Sequence, residues 1–384
     1  MKKVYLDNAA TTQLDEDVLL AMQEALGNYY GNPSSTHSFG KAAKTLVEKA
    51  RKKIAGLIGA DASEIIFTSG GTEANNMVLR SAVRDLKVTT VITTAIEHHA
   101  VFNTVLQLQK EYAIKVAFVQ VQANGLVDLD HLKALLEQHA AEKVLVSLMH
   151  VNNETGIILP LESVGNLCKS HGVLFHSDTV QSIHHLPCKL SELPVDFITA
   201  SAHKFHGPKG IGFVYIKRDS GIRALLFGGE QERGVRAGTE AVHNIIGLEI
   251  AFAKAISLMD VTEAHLLEIK TYFMQLLTTN FPEVVFNGGS DDVHKSVSSI
   301  LNVRFPFNAE KGKLLLFHLD LLGGIACSAG SACQSGSNKP SHVLSEILTN
   351  EELSKPSVRF SFSKYTTKED IDHTIKILVD FAKK

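Results

Sequence analysis

Between Glu64 and Ile216 the chain switches repeatedly between short β-rich runs and helical runs, and this alternation restricts the fold more than any other feature. The segment 64–69 (EIIFTS) and the segments 89–95, 115–121, 143–149 and 173–176 read as strands. A helical run to Arg84, a run after His99, and the stretches 128–139 and 161–171 read as the helices between them. Connections are short throughout. Parallel neighbours need a crossover, and a helix supplies it, so the pattern predicts a parallel, doubly wound α/β sheet. Such a sheet takes its ligands at the carboxyl ends of its strands.

Upstream, residues 14–29 place Val18, Leu19, Met22, Leu26 and Tyr29 on one helical face. Residues 39–58 form a second helix with Leu46, Val47, Ala50, Ile54, Leu57 and Ile58 inward and its basic residues outward. Downstream of the glycine-rich stretch Gly228–Gly238, a long helical pattern runs from about Ala241 towards residue 278, with an interruption near Asp260. The remainder reads as α+β. These shifts predict a large domain over 14–258 and a small domain formed by 1–13 and 259–384.

Composition excludes several classes of function. The 384 residues carry a formal charge of −3, and no basic tract supplies the counterion release on which nucleic-acid binding rests. No run approaches a membrane span of about 20 apolar residues. The opening MKKVYLDNAATT lacks the apolar core of a signal peptide. Four cysteines (Cys168, Cys188, Cys327, Cys333) make neither a disulfide framework nor a CxxC metal pair, which points to a reducing cytoplasm.

The polar residues that follow the strands carry the chemistry. Ser69-Gly70-Gly71-Thr72 leads into a helix, where glycine lets a phosphate approach backbone amides and the helix dipole, although a Gly-Gly turn alone is only a turn. Glu97-His98-His99 follows the next strand, and His150 to Glu154 offers amide donors. Asp178 closes another strand, with Gln181 one turn on. In FITASAHKFHGPKGIGFVYI (197–216), two β-rich runs flank Ser201, His203 and Lys204, which presents an amine suited to Schiff-base chemistry. A phosphate cup, a carboxylate, a flat ring, amide donors and a lysine are together what pyridoxal 5′-phosphate (PLP) requires. Histidine-ligated metal is the rival reading, but His98, His99, His150, His176, His184, His185, His203 and His206 fall in no recognised ligand spacing.

A run of small residues, ACSAGSACQSGS (326–337), cannot build a core. Cys333 within it reads as an exposed nucleophile, whereas Cys327 at the edge of LLGGIA reads as a buried small residue.

The segments YLDNAATT, GNPSSTH, FTSGGTEANN, TAIEHHAV, VNNETG, HSDTVQS, SAHKFHGPKG, RAGTEAV, SAGSACQSG and VRFSFSKYTT, in this order along nearly the whole chain, resemble the cysteine desulfurases (NifS/IscS type) of the class V aminotransferase group. The resemblance implies PLP-dependent fold type I, aspartate aminotransferase-like. It pairs a large domain with a mostly parallel seven-stranded sheet and a smaller α+β domain carrying the cysteine loop. It makes Lys204 the Schiff-base lysine, His98 the ring-stacking proton shuttle, Asp178 the partner of the pyridine nitrogen and Gln181 that of the phenolate. Gly71, Thr72, Ser201 and His203 become the phosphate cup, completed by Thr239 from the other subunit of a homodimer. Asn153 would contact cofactor and substrate, Arg359 the substrate carboxylate, and Cys333 would accept sulfur from L-cysteine. No resident metal is implied, only a transient iron–sulfur contact at Cys333. An acceptor protein is implied, either an iron–sulfur scaffold or a tRNA-thiolation partner. The alternative within the group is a selenocysteine lyase or another PLP lyase or aminotransferase. The end at Phe381-Ala382-Lys383-Lys384 lacks the longer tail with which some iron–sulfur members dock a scaffold.

Overall fold

The computed structural model describes residues 2–329 and 341–383. Cys333 therefore lies outside the described residues. After the short strand β1 (Val4–Tyr5), seven strands follow: β2 (Ile65–Thr68), β3 (Thr90–Thr93), β4 (Lys115–Phe118), β5 (Val144–Ser147), β6 (Leu174–Asp178), β7 (Phe197–Ser201) and β8 (Gly212–Ile216). They form one sheet in the order β2-β8-β7-β6-β5-β3-β4. β4, β3, β5, β6 and β7 pair in parallel, and β8 alone runs against both of its neighbours.

Alternating side chains on these strands feed two separate cores, as the period of two requires. Ile65, Phe67, Val144 and Val146 join the cluster under the helices Ser38–Leu57, Leu129–Gln138, Leu161–Ser170 and Val242–Ser257. Ile66 and Leu145 join the opposite cluster, under Gly71–Arg84 and His99–Tyr112. The central strands are therefore buried on both faces and read as continuous apolar runs. The edge strand β4 is partly exposed.

The first helix, Glu16–Asn28, departs from expectation. Val18 and Ala25 are buried, but Leu19 and Leu26 are 44% and 57% exposed. The helix lies on Val242–Ser257 through the narrower stripe and leaves its remaining apolar residues facing out beside exposed Leu20, Tyr30 and Phe39. The second helix also departs: Arg51, expected on the solvated face, is buried.

The long helical pattern after Ala241 breaks at Leu258, between the helices Val242–Ser257 and Met259–Asn280. Val242, Ile245 and Leu248 of the first belong to one large-sheet core. Leu266, Ile269, Phe273 and Leu277 of the second belong to another core, shared with Val4 and Leu6 from the amino terminus. That core covers the antiparallel strands β9 (Val285–Phe286), β10 (Ile300–Arg304) and β12 (Ser357–Ser361), in the order β12-β10-β9. A separate strand β11 (Ile325–Ala326) pairs in parallel with β1. The helix Ala309–Phe317 widens to a π-turn over His318–Leu322. Among the described residues, no helix is long and apolar enough to cross a membrane.

Candidate active site

The carboxyl ends of β2, β3, β5, β6 and β7 open onto a cavity of about 250 Å³. Ten of the residues singled out in the sequence line it: Gly71, Thr72, His98, Asn153, Asp178, Gln181, Ser201, His203, Lys204 and Arg359.

One wall is the start of the helix Gly71–Arg84, which no side chain caps. Its first-turn amides and positive dipole end are therefore available to an anion. The approach is close. Gly70 sits at φ +147°, and a Cβ added to Gly71 would lie 2.7 Å from Val180 Cγ2. Ser201 closes β7 beside this turn, and His203 follows in a single 3₁₀ turn that ends at Lys204. Lys204 thus stands one turn beyond its strand rather than at the strand's last residue. Burial holds His203 down to about 4, so its ring is neutral and serves as a hydrogen-bonding group.

Asp178 is the last residue of β6 and is nearly buried. Its Oδ2 accepts from Asn75 Nδ2 at 2.7 Å and its Oδ1 from the Val180 amide at 3.0 Å. Asn75 is in turn oriented by Thr199, whose hydroxyl donates to Asn75 Oδ1 at 3.0 Å. The carboxylate is braced on one side and faces the cavity on the other. His98 caps the helix His99–Tyr112: its Nδ1 accepts from the Ala100 amide at 3.1 Å, which puts the proton of the neutral ring on Nε2. Burial holds its pKa below the usual imidazole value, with Asp178 opposing and Lys204 reinforcing the shift. His99 lies off the cavity, stacked on His342 with ring centres 4.4 Å apart.

The floor comes from the amino terminus, which the sequence reading matched as a motif without giving it a role. Ala9 carbonyl accepts from Lys204 Nζ at 2.6 Å and from Gln181 Nε2 at 2.8 Å, and Ala10 carbonyl accepts from Lys204 Nζ at 2.9 Å. Thr12 Oγ1 donates to the His203 carbonyl, and Thr11 Oγ1 meets His203 Nδ1 at 3.2 Å. Asp7 Oδ1 accepts from Arg359 Nη2 at 2.9 Å, while Arg359 Nη1 donates to the Asn153 carbonyl at 2.8 Å. Arg359 is 1% exposed, and its Nε has no hydrogen-bond partner among the described residues. A buried guanidinium with donor capacity to spare at a cavity wall suits a carboxylate ligand.

Asn75, Asp7, Ala9 and Ala10 lie in matched segments of the sequence but have no individual role there. Asn75 lies four residues after Gly71, on the same helical face, and that spacing was the one available signal.

Cys333 is outside the described residues. Among the described residues, one predicted site residue is not at the cavity. Thr239 is exposed and lies on a separate surface cavity with Leu26, Tyr30, Asn32 and His243. The stretch leading to Thr239 is anchored by Glu232, whose two carboxylate oxygens each accept from Arg51 at 2.7 Å. Among the described residues, no group of three His, Cys, Asp or Glu side chains is placed to hold a metal ion. Cys327 is half-buried against the small core, and burial raises its thiol pKa well above the usual range, so it is no thiolate at neutral pH.

A family model described as aminotransferase class-V matches residues 4–374. A cysteine desulfurase IscS of Dictyoglomus turgidum is 42% identical over 379 residues, covering 98% of this chain and 94% of its own. Among solved structures, a NifS-like protein superimposes with a TM-score of 0.90 at 35% identity over the whole of both chains. SspA in complex with cysteine superimposes with a TM-score of 0.80 at 30% identity, covering 95% of this chain and all of its own.

Proposed function

The chain belongs to the class-V aminotransferase family and is a PLP-dependent cysteine desulfurase; from that premise we propose which of its residues do the work. One observation carries the assignment. Residues chosen from five separate strand ends converge on a single cavity. They fit PLP: an uncapped helix start for the phosphate, Asp178 for the pyridine nitrogen, Lys204 for the aldehyde and His98 for the ring face. When bound, PLP supplies an electron sink for charge developing on the substrate's α-carbon.

The remaining steps belong to the chain's own groups. Gly71, Thr72, Ser201 and His203 hold the phosphate. Asp178, kept in place by Asn75, keeps a proton on the ring nitrogen. Gln181 uses one amide N–H on Ala9 and directs the other at the phenolate oxygen. L-cysteine, the ligand seen with SspA, presents its carboxylate to Arg359 beside Asn153. Lys204 moves a proton from Cα, and His98, with its proton on Nε2, serves as donor. The thiolate of Cys333 attacks the substrate sulfur. An S–S bond forms as the Cβ–S bond breaks, the bond pair and a proton go to carbon, and alanine leaves with the persulfide on Cys333.

Thr239 completes the phosphate cup of a partner copy. Its exposure outside its own cavity supports this, as does its position next to Leu26 and Tyr30 on the uncovered apolar face. The division into 14–258 and 1–13 plus 259–384 is supported by the change of core at Leu258. The acceptor is an iron–sulfur scaffold or a thiolation protein in the cytoplasm.

The test uses two variants of the purified holoenzyme. Lys204→Ala loses the yellow colour of the covalently held cofactor and all turnover. Cys333→Ser keeps the colour and loses sulfide release from L-cysteine. Sulfide release by Cys333→Ser at the wild-type rate sinks the assignment of Cys333.

A further inference from the structure

The glycine turn read as the phosphate site, Ser69-Gly70-Gly71-Thr72, is gripped on both sides by one distant stretch of chain. Before the turn, the Phe67 amide donates to Glu232 Oε2 at 2.8 Å, on the same carboxylate that Arg51 holds. After the turn, Glu73 takes two hydrogen bonds from Arg236: Nε donates to Oε1 at 2.8 Å and Nη2 to Oε2 at 3.2 Å. The Glu73 side chain also bends back over the turn, since its Oε2 accepts from the Ser69 amide at 2.7 Å. The gripping stretch is itself closed into a loop, because the Gly238 amide donates to Gln231 Oε1 at 3.1 Å.

Phosphate and Glu73 compete for the same end of one helix. Glu73 is the third residue of the uncapped helix Gly71–Arg84 and directly follows Thr72. A carboxylate in the first turn is stabilised by the positive end of the helix dipole, but that end is also what binds phosphate. An ionised Glu73 without a counter-charge therefore repels the ligand from beside the cup. The side chain is ionised: burial would raise its pKa, but the hydrogen bonds from Arg236 and Ser69 outweigh this and hold it below the usual carboxylate value. Among the described residues Arg236 is its only ion-pair partner, and the two side chains are only 22% and 12% exposed. Partly buried charges are weakly screened, and the forked contact fixes the orientation of the pair. Arg236 thus cancels, where it arises, the negative charge that Glu73 would bring to the phosphate turn.

We propose that Arg236 is a positioning residue of the phosphate cup: it neutralises Glu73 and keeps it on the Ser69 amide, so that Gly71 and Thr72 meet phosphate without a neighbouring negative charge. This rests on the reading of Gly71, Thr72, Ser201 and His203 as that cup. Neither Arg236 nor Glu73 lines the cavity, so Arg236 acts on the site through Glu73 and the turn rather than by touching the cofactor. Its role is also separate from that of Thr239, three residues on, which lies on a different surface cavity. Arg236 serves the cup of its own chain, and it does so by charge.

The test is equilibrium binding of PLP, and separately of pyridoxal, to the full-length protein freed of cofactor, followed by absorbance. Pyridoxal brings the same ring and aldehyde to Lys204 but has no phosphate for the cup. Arg236→Met should weaken PLP binding about tenfold, the order of one uncompensated charge at a partly buried helix terminus, and leave pyridoxal binding unchanged. Arg236→Lys, which keeps the charge without the fork, should lose less. Adding Glu73→Gln to Arg236→Met should restore PLP binding, because the amide oxygen still accepts from Ser69 while the charge is gone. Wild-type PLP binding by Arg236→Met overturns the proposal. Equal losses for PLP and pyridoxal also overturn it, because they mark a general distortion of the site. So does a loss that Glu73→Gln fails to rescue, which places the effect in the stretch leading to Thr239 and not in charge. A wild-type protein that binds PLP no more tightly than pyridoxal overturns the reading of the phosphate cup itself, and this proposal with it.

Discussion

Arg51 and Arg359 are the two least exposed arginines among the described residues, and they are treated in opposite ways. Arg51 is saturated within the protein. Nη1 and Nη2 each reach a Glu232 oxygen at 2.7 Å, Nη1 also donates to the Ile65 carbonyl, Nε meets Glu48 at 3.1 Å, and the guanidinium lies over the Phe67 ring. Arg359 has one carboxylate, Asp7, on Nη2 and one carbonyl, Asn153, on Nη1; its Nε is left without a partner among the described residues. A buried donor without an acceptor is costly, and Arg359 stands at the wall of a cavity where a ligand carboxylate can supply the acceptor. Arg51 and Glu232 fasten the stretch that leads to Thr239, whereas Arg359 is set up to be completed from outside.

The largest expected effect tests the saturated pair. Glu232→Ala strands a buried guanidinium and removes the acceptor of the Phe67 amide, so it should cost about 3–5 kcal/mol of stability. Denaturant unfolding measures this, and the KM of the protein that remains folded should not change. A stability loss below about 1 kcal/mol would break the contrast.

Glu97 sharpens the same contrast on the acid side. Glu232 has both oxygens occupied, but Glu97 has only Oε1 engaged, by the Met149 amide and Thr94, and Oε2 is unpartnered among the described residues. Burial raises its pKa from 4.5 to about 8. The folded state therefore holds a proton that the unfolded state has released. Stability from this group is complete below about pH 4.5 and is lost progressively as pH rises to about 8. Thermal melts of Glu97→Gln across that window should show a flatter decline than the wild type, and an identical slope would remove Glu97 as the cause.

At the other arginine, Arg359→Lys keeps the charge and discards the fork. KM for L-cysteine should rise by about tenfold to a hundredfold while the protein stays folded. Steady-state kinetics decide it, and an unchanged KM would mean that Arg359 is as purely structural as Arg51. The smallest effect is expected for Asp7→Asn, which keeps an acceptor on Nη2 but removes its charge. KM should rise by about twofold to fivefold, since hydrogen bonds to charged groups exceed neutral ones only modestly.

The two arginines also mark what could be read in advance. Arg51 was expected on the solvated basic face of its helix, because Glu232 lies 181 residues away and nothing local announces the partner. Leu19 and Leu26 were expected inward on the strength of an apolar helical face. That face is wider than the stripe the helix beneath it covers, so part of it remains outside. The strands and helices between Glu64 and Ile216 were legible because burial on both sides of a sheet imposes patterns that repeat within a few residues. The site residues after those strands were legible because the carboxyl end of a parallel sheet gathers whatever follows each strand.

The sequence by itself thus determined the sheet, the place to look, and the presence of an amine, a carboxylate, a ring and a glycine turn at successive strand ends. Hydrophobic period and the succession of strands and helices along the chain depend on neighbours close in the chain, so one sequence suffices for them. Only the tertiary structure decided how those groups are held. Ala9 and Ala10 lie under Lys204 across 195 and 194 residues, Asp7 is bound to Arg359 across 352, and Ser341 to Glu154 across 187. Such contacts carry no periodicity, and a hydrogen bond between distant segments exists only once the cores have brought its partners together.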